Sequence, residues 1–81
     1  MRVTVRLFAR LRDIAGSAEL ARDIKAGATI GDVWSQLAAE FPALADYANA
    51  ISCAVNDEYT RLTTIVEDGD EVAFLPPVSG G

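Results

Sequence analysis

The sequence contains no histidine and a single cysteine, Cys53. The missing histidine removes the commonest general base and the commonest metal ligand, and one cysteine cannot build a thiolate metal site. Neither self-contained catalysis nor a bound metal is expected. A lone cysteine cannot close an internal disulfide either, which agrees with a reducing compartment. Basic residues are scarce, seven against twelve acidic ones, for a net charge of −5. That balance repels nucleic acid phosphates and anionic membrane surfaces. No run approaches the ~20 apolar residues needed to span a bilayer. Met1-Arg2-Val3-Thr4-Val5 enters a strand pattern at once, without the apolar segment of a signal peptide. The expectation is a cytoplasmic protein with neither nucleic acid nor membrane as a partner.

What is present is 81 residues, 51% of them hydrophobic, enough for one domain that folds without staples. Arg2 to Phe8 alternates polar and apolar, with Val3, Val5 and Leu7 on one face, the pattern of a half-buried strand. Arg2, Arg6, Arg10 and Arg12 read as the solvated side of that strand and of the turn after it. Arg10 to Ala15 reads as a short helical turn ended by Gly16. A second strand is expected over Glu19 to Ile24, with Leu20 and Arg22 opposite Ala21 and Asp23.

The central helix carries the clearest local signals. Thr29 can cap it, with Asp32 three residues on in a shortened capping box. Ile30, Val33, Trp34, Leu37 and Phe41 form one apolar stripe, and Pro42 ends it. Trp34 is therefore read as a core residue. Another short helix is expected over Ala43 to Ala50, then a strand over Ile51 to Val55 with Ile51, Cys53 and Val55 sharing a face. Cys53 reads as a small packing group. Asn56-Asp57-Glu58 is turn chemistry, Tyr59 to Leu62 a short edge strand, and Asp68-Gly69 a tight turn into a last strand, Glu71 to Leu75.

Two apolar residues fall on the polar face of their strands. Phe8 shares parity with Arg2, Thr4 and Arg6, and Leu75 with Glu71 and Ala73. If the first and last strands are neighbours, Phe8 and Leu75 form an exposed apolar patch, the kind of surface that marks a partner site. Otherwise parity relaxes at the strand ends and a helix or loop covers each. The acidic run Glu67-Asp68-Gly69-Asp70-Glu71 reads first as a solvated turn. Placed near the base of the tail, it would also steer a basic partner.

Beyond the last strand comes Pro76-Pro77-Val78-Ser79-Gly80-Gly81. The prolines fix φ and remove backbone donors, which ends the ladder and favours an extended exit. The five residues beyond Pro76 reach roughly 16–18 Å when fully extended. Gly80 and Gly81 have no Cβ, so the tail can thread a narrow channel and present the α-carboxylate of Gly81. Glycine-rich termini are common and prove little alone. The prolines ahead of them point to a chain whose own C-terminus is the reactive group.

The closing stretch Asp68-Gly69-Asp70-Glu71-Val72-Ala73-Phe74-Leu75-Pro76-Pro77-Val78-Ser79-Gly80-Gly81 resembles the end of molybdopterin synthase small subunits, ubiquitin-like sulfur carriers. Val5-Arg6-Leu7-Phe8-Ala9-Arg10-Leu11-Arg12 and Ala54-Val55-Asn56 are similar to the same family, so the resemblance spans nearly the whole chain. It implies an α+β, ubiquitin-like β-grasp domain over residues 1–75, a mixed sheet packed on one main helix, and a flexible carrier tail over residues 76–81.

The resemblance also implies a chemistry and a set of partners. An adenylating activating enzyme uses ATP on the Gly81 carboxylate, and a sulfur donor system then converts it to a thiocarboxylate. The large synthase subunit receives that tail and passes its sulfur to a cyclic pyranopterin phosphate precursor. Gly81 would carry the sulfur, Gly80 give clearance, Val78 and Ser79 line the channel, and Pro76 and Pro77 aim the tail. Phe8, Tyr59 and Leu75 match positions of the partner surface, though other members carry different apolar side chains at the last two. No cofactor is expected on the chain itself. Another sulfur pathway (thiamin or tRNA thiolation), a ubiquitin-like modifier joined to lysines, and a non-reactive adaptor remain open.

Overall fold

A computed structural model describes residues 1–77. The alternation Val3-Val5-Leu7 folds as strand β1 (Arg2–Leu7), whose apolar members are buried while Thr4 and Arg6 lie on the other face. The strand stops one residue earlier than expected. Phe8 takes extended dihedrals (φ −121, ψ 153) as the N-cap of helix α1 (Ala9–Ala15), and its carbonyl accepts from the Leu11 and Arg12 N–H groups at 3.1 and 3.4 Å. Gly16 ends α1 at φ 75, the left-handed conformation that glycine adopts without steric cost.

Strand β2 (Glu19–Asp23) returns antiparallel to β1. Pairing with Val3 and Val5 places Arg22 and Leu20 on the core side, opposite Ala21 and Asp23 as expected. Ile24 lies just past the strand but still exchanges bonds with Met1, N–H to carbonyl at 2.8 Å and ammonium to carbonyl at 3.0 Å.

Helix α2 (Ile30–Glu40) carries the expected capping box: the Asp32 N–H donates to Thr29 Oγ1 at 3.2 Å, and the Thr29 N–H to Asp32 Oδ2 at 2.9 Å. Its next two N–H groups find partners far along the chain, Ile30 on the Thr64 carbonyl at 2.9 Å and Gly31 on the Leu62 carbonyl at 2.8 Å. These bonds satisfy donors that every helix start leaves open. The approach is close: a Cβ on Gly31 would stand 3.3 Å from the Leu62 oxygen. Ile30, Val33, Trp34 and Leu37 are buried, and Phe41 is half-buried at the C-cap. The helix expected over Ala43 to Ala50 is instead a 3₁₀ helix, Pro42–Tyr47, because proline suits a first helical position and starts the turn earlier.

Strand β3 (Ser52–Val55) begins one residue later than expected, with Ile51 outside it. Cys53 and Val55 do share the core face, paired with Phe74 and Val72. Asn56 and Asp57, at φ 50 and 70, make the two-residue turn into β4 (Glu58–Thr60). The edge strand expected over Tyr59 to Leu62 thus stops at Thr60. The bonds from Leu62 and Thr64 to α2 draw the chain off the sheet edge. Strand β5 (Glu71–Leu75) then inserts between β1 and β3, giving the order β2-β1-β5-β3-β4. It runs parallel to β1 and antiparallel to β3. A mixed sheet wrapped on one main helix is the β-grasp arrangement that the resemblance implied.

The core lies between α2 and one face of this sheet. Trp34 meets Phe74 at a centroid distance of 5.0 Å and a tilt of 58°, inside the favourable range for aromatic pairs. Its Nε1 is buried and has no acceptor among the described residues. Trp34→Ala should therefore cost about 3–5 kcal/mol of stability. Trp34→Phe should cost about half of that or less, because an orphaned donor burdening the fold by ~1–3 kcal/mol leaves with the indole. Urea denaturation checks this, and equal losses for the two variants would contradict it.

Candidate functional site

Strand pairing decides what the face away from α2 displays. Across the middle of the sheet, one row runs Glu19, Arg6, Ala73, Ala54, Tyr59. The next row toward the end of β5 holds Leu75 beside Ser52. Phe8 follows β1 with the parity of Arg6 and remains 37% exposed, while Leu75, expected to share an exposed patch with it, is half-buried. Tyr59, 74% exposed, adds a large aromatic on the edge strand. The expected surface residues Phe8, Tyr59 and Leu75 thus belong to one side of the sheet.

Between them lies a shallow apolar floor that the sequence reading did not single out. Ala73 and Ala54 are paired there, and Ala54 is only 6% exposed. The strict period of two in β3 and β5 was the signal, because it assigns both alanines the parity of Leu75 and Tyr59. Next to this floor, Arg6 Nη1 donates to Glu71 Oε1 at 3.3 Å, and Arg6 Cζ sits 5.5 Å from the Phe8 ring centroid. Arg6 is not simply a solvated strand residue, as the sequence suggested. It lies half-buried between Phe8 and Ala73 on one hand and the carboxylates Glu71 and Glu19 on the other. Ala9, directly after Phe8, has φ 50, a left-handed conformation costing an L-residue about 1–2 kcal/mol. It turns the chain from β1 into α1.

At the end of β5 the ladder stops as expected. Leu75 pairs with Ser52, after which Pro76 is half-buried and Pro77 exposed, both outside any strand. Val78, Ser79, Gly80 and Gly81, assigned above to the channel and the reactive end, lie outside the described residues.

The acidic run is not at the base of the tail, where the sequence reading put it. It leads into β5, whose first residue is Glu71, whereas Leu75 ends that strand about 13 Å further along. Its carboxylates also build the turn. Asp68 Oδ1 accepts from the Arg2 N–H at 2.7 Å, Asp70 Oδ2 from the Glu67 N–H at 2.8 Å, and Asp70 Oδ1 from Asn56 Nδ2 at 3.0 Å. The run is an exposed turn held by its own side chains.

Cys53 is buried with its Sγ donating to the Thr60 carbonyl at 3.3 Å, and burial pushes the thiol above its ordinary value. That disfavours the thiolate, the reactive form. Among the described residues no group of three or more His, Cys, Asp or Glu is placed to hold a metal ion, and no helix is long and apolar enough to cross a membrane. A raised thiol value means that the folded chain keeps this proton longer than the unfolded chain. The associated stability is present below the ordinary thiol value and is lost as pH climbs through the raised one. Thermal stability should fall above about pH 9, and Cys53→Ala should make the fall shallower. Identical pH profiles for the two proteins would show that Cys53 contributes nothing.

The geometry can be set beside known proteins. Residues 5–81 match the ThiS family. The molybdopterin synthase sulfur carrier subunit of Arabidopsis thaliana is 37% identical over 79 residues, covering 98% of this chain and 82% of that protein. The crystal structure of SAMP1 from Haloferax volcanii superposes with a TM-score of 0.85 at 33% identity, covering 100% of both chains. A chain from the protein–protein complex of subunits 1 and 2 of molybdopterin-converting factor from Helicobacter pylori superposes with a TM-score of 0.68 at 29% identity, again over 100% of both chains.

Proposed function

Because this chain belongs to the ThiS family, we propose that it is the sulfur-carrying small subunit of a molybdopterin synthase, with Gly81 as the group that carries sulfur. The observation that bears most weight is the apolar surface of Phe8, Ala73, Ala54, Leu75 and Tyr59 on the sheet that feeds the tail. A carrier needs a surface that docks its body where its end must act, and here that surface includes Leu75, the last strand residue before Pro76. The complexed Helicobacter relative supports a large-subunit partner.

The chemistry follows from what a carboxylate lacks. An α-carboxyl group has a pKa of about 3.3–3.7, so the Gly81 end is anionic at neutral pH and has no leaving group. The adenylating activating enzyme supplies one: a carboxylate oxygen attacks the α-phosphorus of ATP and expels pyrophosphate. The sulfur donor system then displaces AMP, leaving a thiocarboxylate. Docked on the large subunit, the thiocarboxylate sulfur bonds to the cyclic pyranopterin phosphate precursor, and water cleaves the acyl–sulfur bond to restore the Gly81 carboxylate; two such transfers supply the dithiolene sulfurs. Acids and bases come from the partners, since this chain has no histidine and its one thiol is buried. In this reading ATP is a substrate of the activating enzyme, not a cofactor of the chain. Pro76 and Pro77 direct the tail, Val78 and Ser79 follow the channel, and Gly80 keeps the last step narrow.

A second reading has an observation of its own. The likeness to SAMP1 extends over the whole chain, so conjugation of Gly81 to lysines of other proteins competes with sulfur transfer. Intact mass of the protein purified from sulfur-replete cells separates them, as one oxygen exchanged for sulfur marks a carrier and lysine conjugates mark a modifier.

Deleting Gly81 should leave thermal stability unchanged, because a glycine has no side chain to bury, yet abolish sulfur transfer in an assay with the large subunit. Retained transfer by the truncated protein overturns the terminal-carrier reading. Phe8→Asp should weaken large-subunit binding by roughly 30-fold or more, with stability shifted by about 0.5 kcal/mol or less. A large loss of stability at unchanged affinity would instead assign Phe8 to the core.

A further inference from the structure

The face away from α2 joins its apolar residues to one half-buried cation, Arg6, which lies beside the chain's own carboxylates Glu71 and Glu19. Arg6 has Ala73 of β5 on one side and Glu19 of β2 on the other, and its side chain is 44% exposed. The guanidinium carries five N–H donors in a planar fork. Among the described residues a single bond uses them, Nη1 to Glu71 Oε1 at 3.3 Å, with Phe8 lying against the group at 5.5 Å. The edge formed by Nε and Nη2 makes no hydrogen bond there. Nη1 is thus tied back to the chain's own carboxylate while the other edge remains available.

A partner that covers Phe8 and Leu75 must also cover Arg6. An apolar lid would strip water from the unused donors with nothing in return, a cost that makes half-satisfied buried charges unfavourable. Glu71 cannot remove that cost, because its one bond occupies a different nitrogen. The geometry points to a partner surface that lays a carboxylate over the Nε–Nη2 edge of Arg6, forming a bidentate pair inside an apolar contact. This rests on the docking reading above and adds its polar determinant. The fork matches carboxylate geometry, which a lysine ammonium does not. Arg6 is then a selectivity residue: the net charge of −5 repels acidic surfaces in general, so only a carboxylate placed at this position is accepted.

The test measures binding of the full chain to the large synthase subunit from the same organism, with association and dissociation followed separately. Arg6→Lys should raise the dissociation rate about tenfold, and Arg6→Met roughly 30-fold or more. Association rates and thermal stability should barely change, because a short-range fork acts after encounter. The double variant Arg6→Met with Glu71→Gln separates the partner's carboxylate from the internal pair. It should stay as weak as Arg6→Met, since the partner's charge is still orphaned. Recovery of wild-type affinity in the double variant, or an Arg6→Lys protein that dissociates like the wild type, overturns the proposal. If the wild-type chain fails to bind the large subunit at all, the docking reading falls and takes this inference with it. Binding by the wild type that is indifferent to Arg6 but lost in Phe8→Asp sinks the inference alone.

Discussion

The parallel pairing of β1 with β5, in the register Val5 to Val72 and Leu7 to Phe74, constrains the rest of the molecule. Both strands commit every second residue to α2, and each member of that set (Val3, Val5, Leu7, Val72, Phe74) is buried. Side chains alternate strictly across a strand, so a slip of one position would expose the whole set and bury Arg6 and Glu71 instead. Burial of the stripe Ile30, Val33, Trp34 and Leu37 therefore fixes two things together. It holds the sheet to the helix, and it forces Arg6, Ala73 and Leu75 onto the opposite face. The candidate docking surface is the complement of the core, set by the same parity.

Polar groups do little to hold the core and much to shape its borders. No charged residue is buried among the described residues. Arg22 reaches Glu40 at 2.7 Å across the β2 edge, and Arg2 meets Asp23 at 3.1 Å in the open. Arg2 holds the Asp23 carboxyl below its ordinary range by hydrogen bond and charge, at full exposure, where such pairs add little stability. The backbone-directed bonds matter more. The Thr29–Asp32 box together with the Thr64 and Leu62 carbonyls satisfies the start of α2, and Asp68 and Asp70 close the turn into β5. The first group ties the segment after β4 over the helix, and the second delivers β5 to the sheet centre in register.

The sequence made the repeating patterns legible and the competitive ones not. The strand pattern of β1, the cap and stripe of α2 and the break at Pro76-Pro77 rest on local spacing, and they stand where spacing put them except that β1 ends at Leu7, one residue sooner. Phe8 was legible as an anomaly: one apolar residue on a polar face, resolved only once β5 proved to be the neighbour of β1. The end of β4 was not legible, because Leu62 and Thr64 give their carbonyls to a helix more than thirty residues away, and no local pattern announces that. The acidic run misled for a related reason. Its closeness to the C-terminus in sequence hides a five-residue strand that carries the tail to the other end of the sheet. Arg6 read as solvated because its parity partners looked polar, yet Ala73 and Ala54 make that row apolar at its centre.

These points bear on why so inert a chain suits the proposed chemistry. On the proposed reading the chain would visit an activating enzyme, a sulfur donor and a synthase, and any strong nucleophile on its body would compete for the activated Gly81 end. The composition removes two of the most reactive: histidine is absent, and the one thiol is buried, hydrogen-bonded to Thr60 and pushed toward its neutral form. What the body must supply instead is placement. β5 links the two demands, since its buried residues Val72 and Phe74 anchor it in the core while Ala73 and Leu75 face outward. The strand that makes the fold cooperative is the strand that carries the tail. A partner gripping the face around Arg6 and Phe8 therefore grips a rigid body, and the position from which Pro76 departs is fixed by the core.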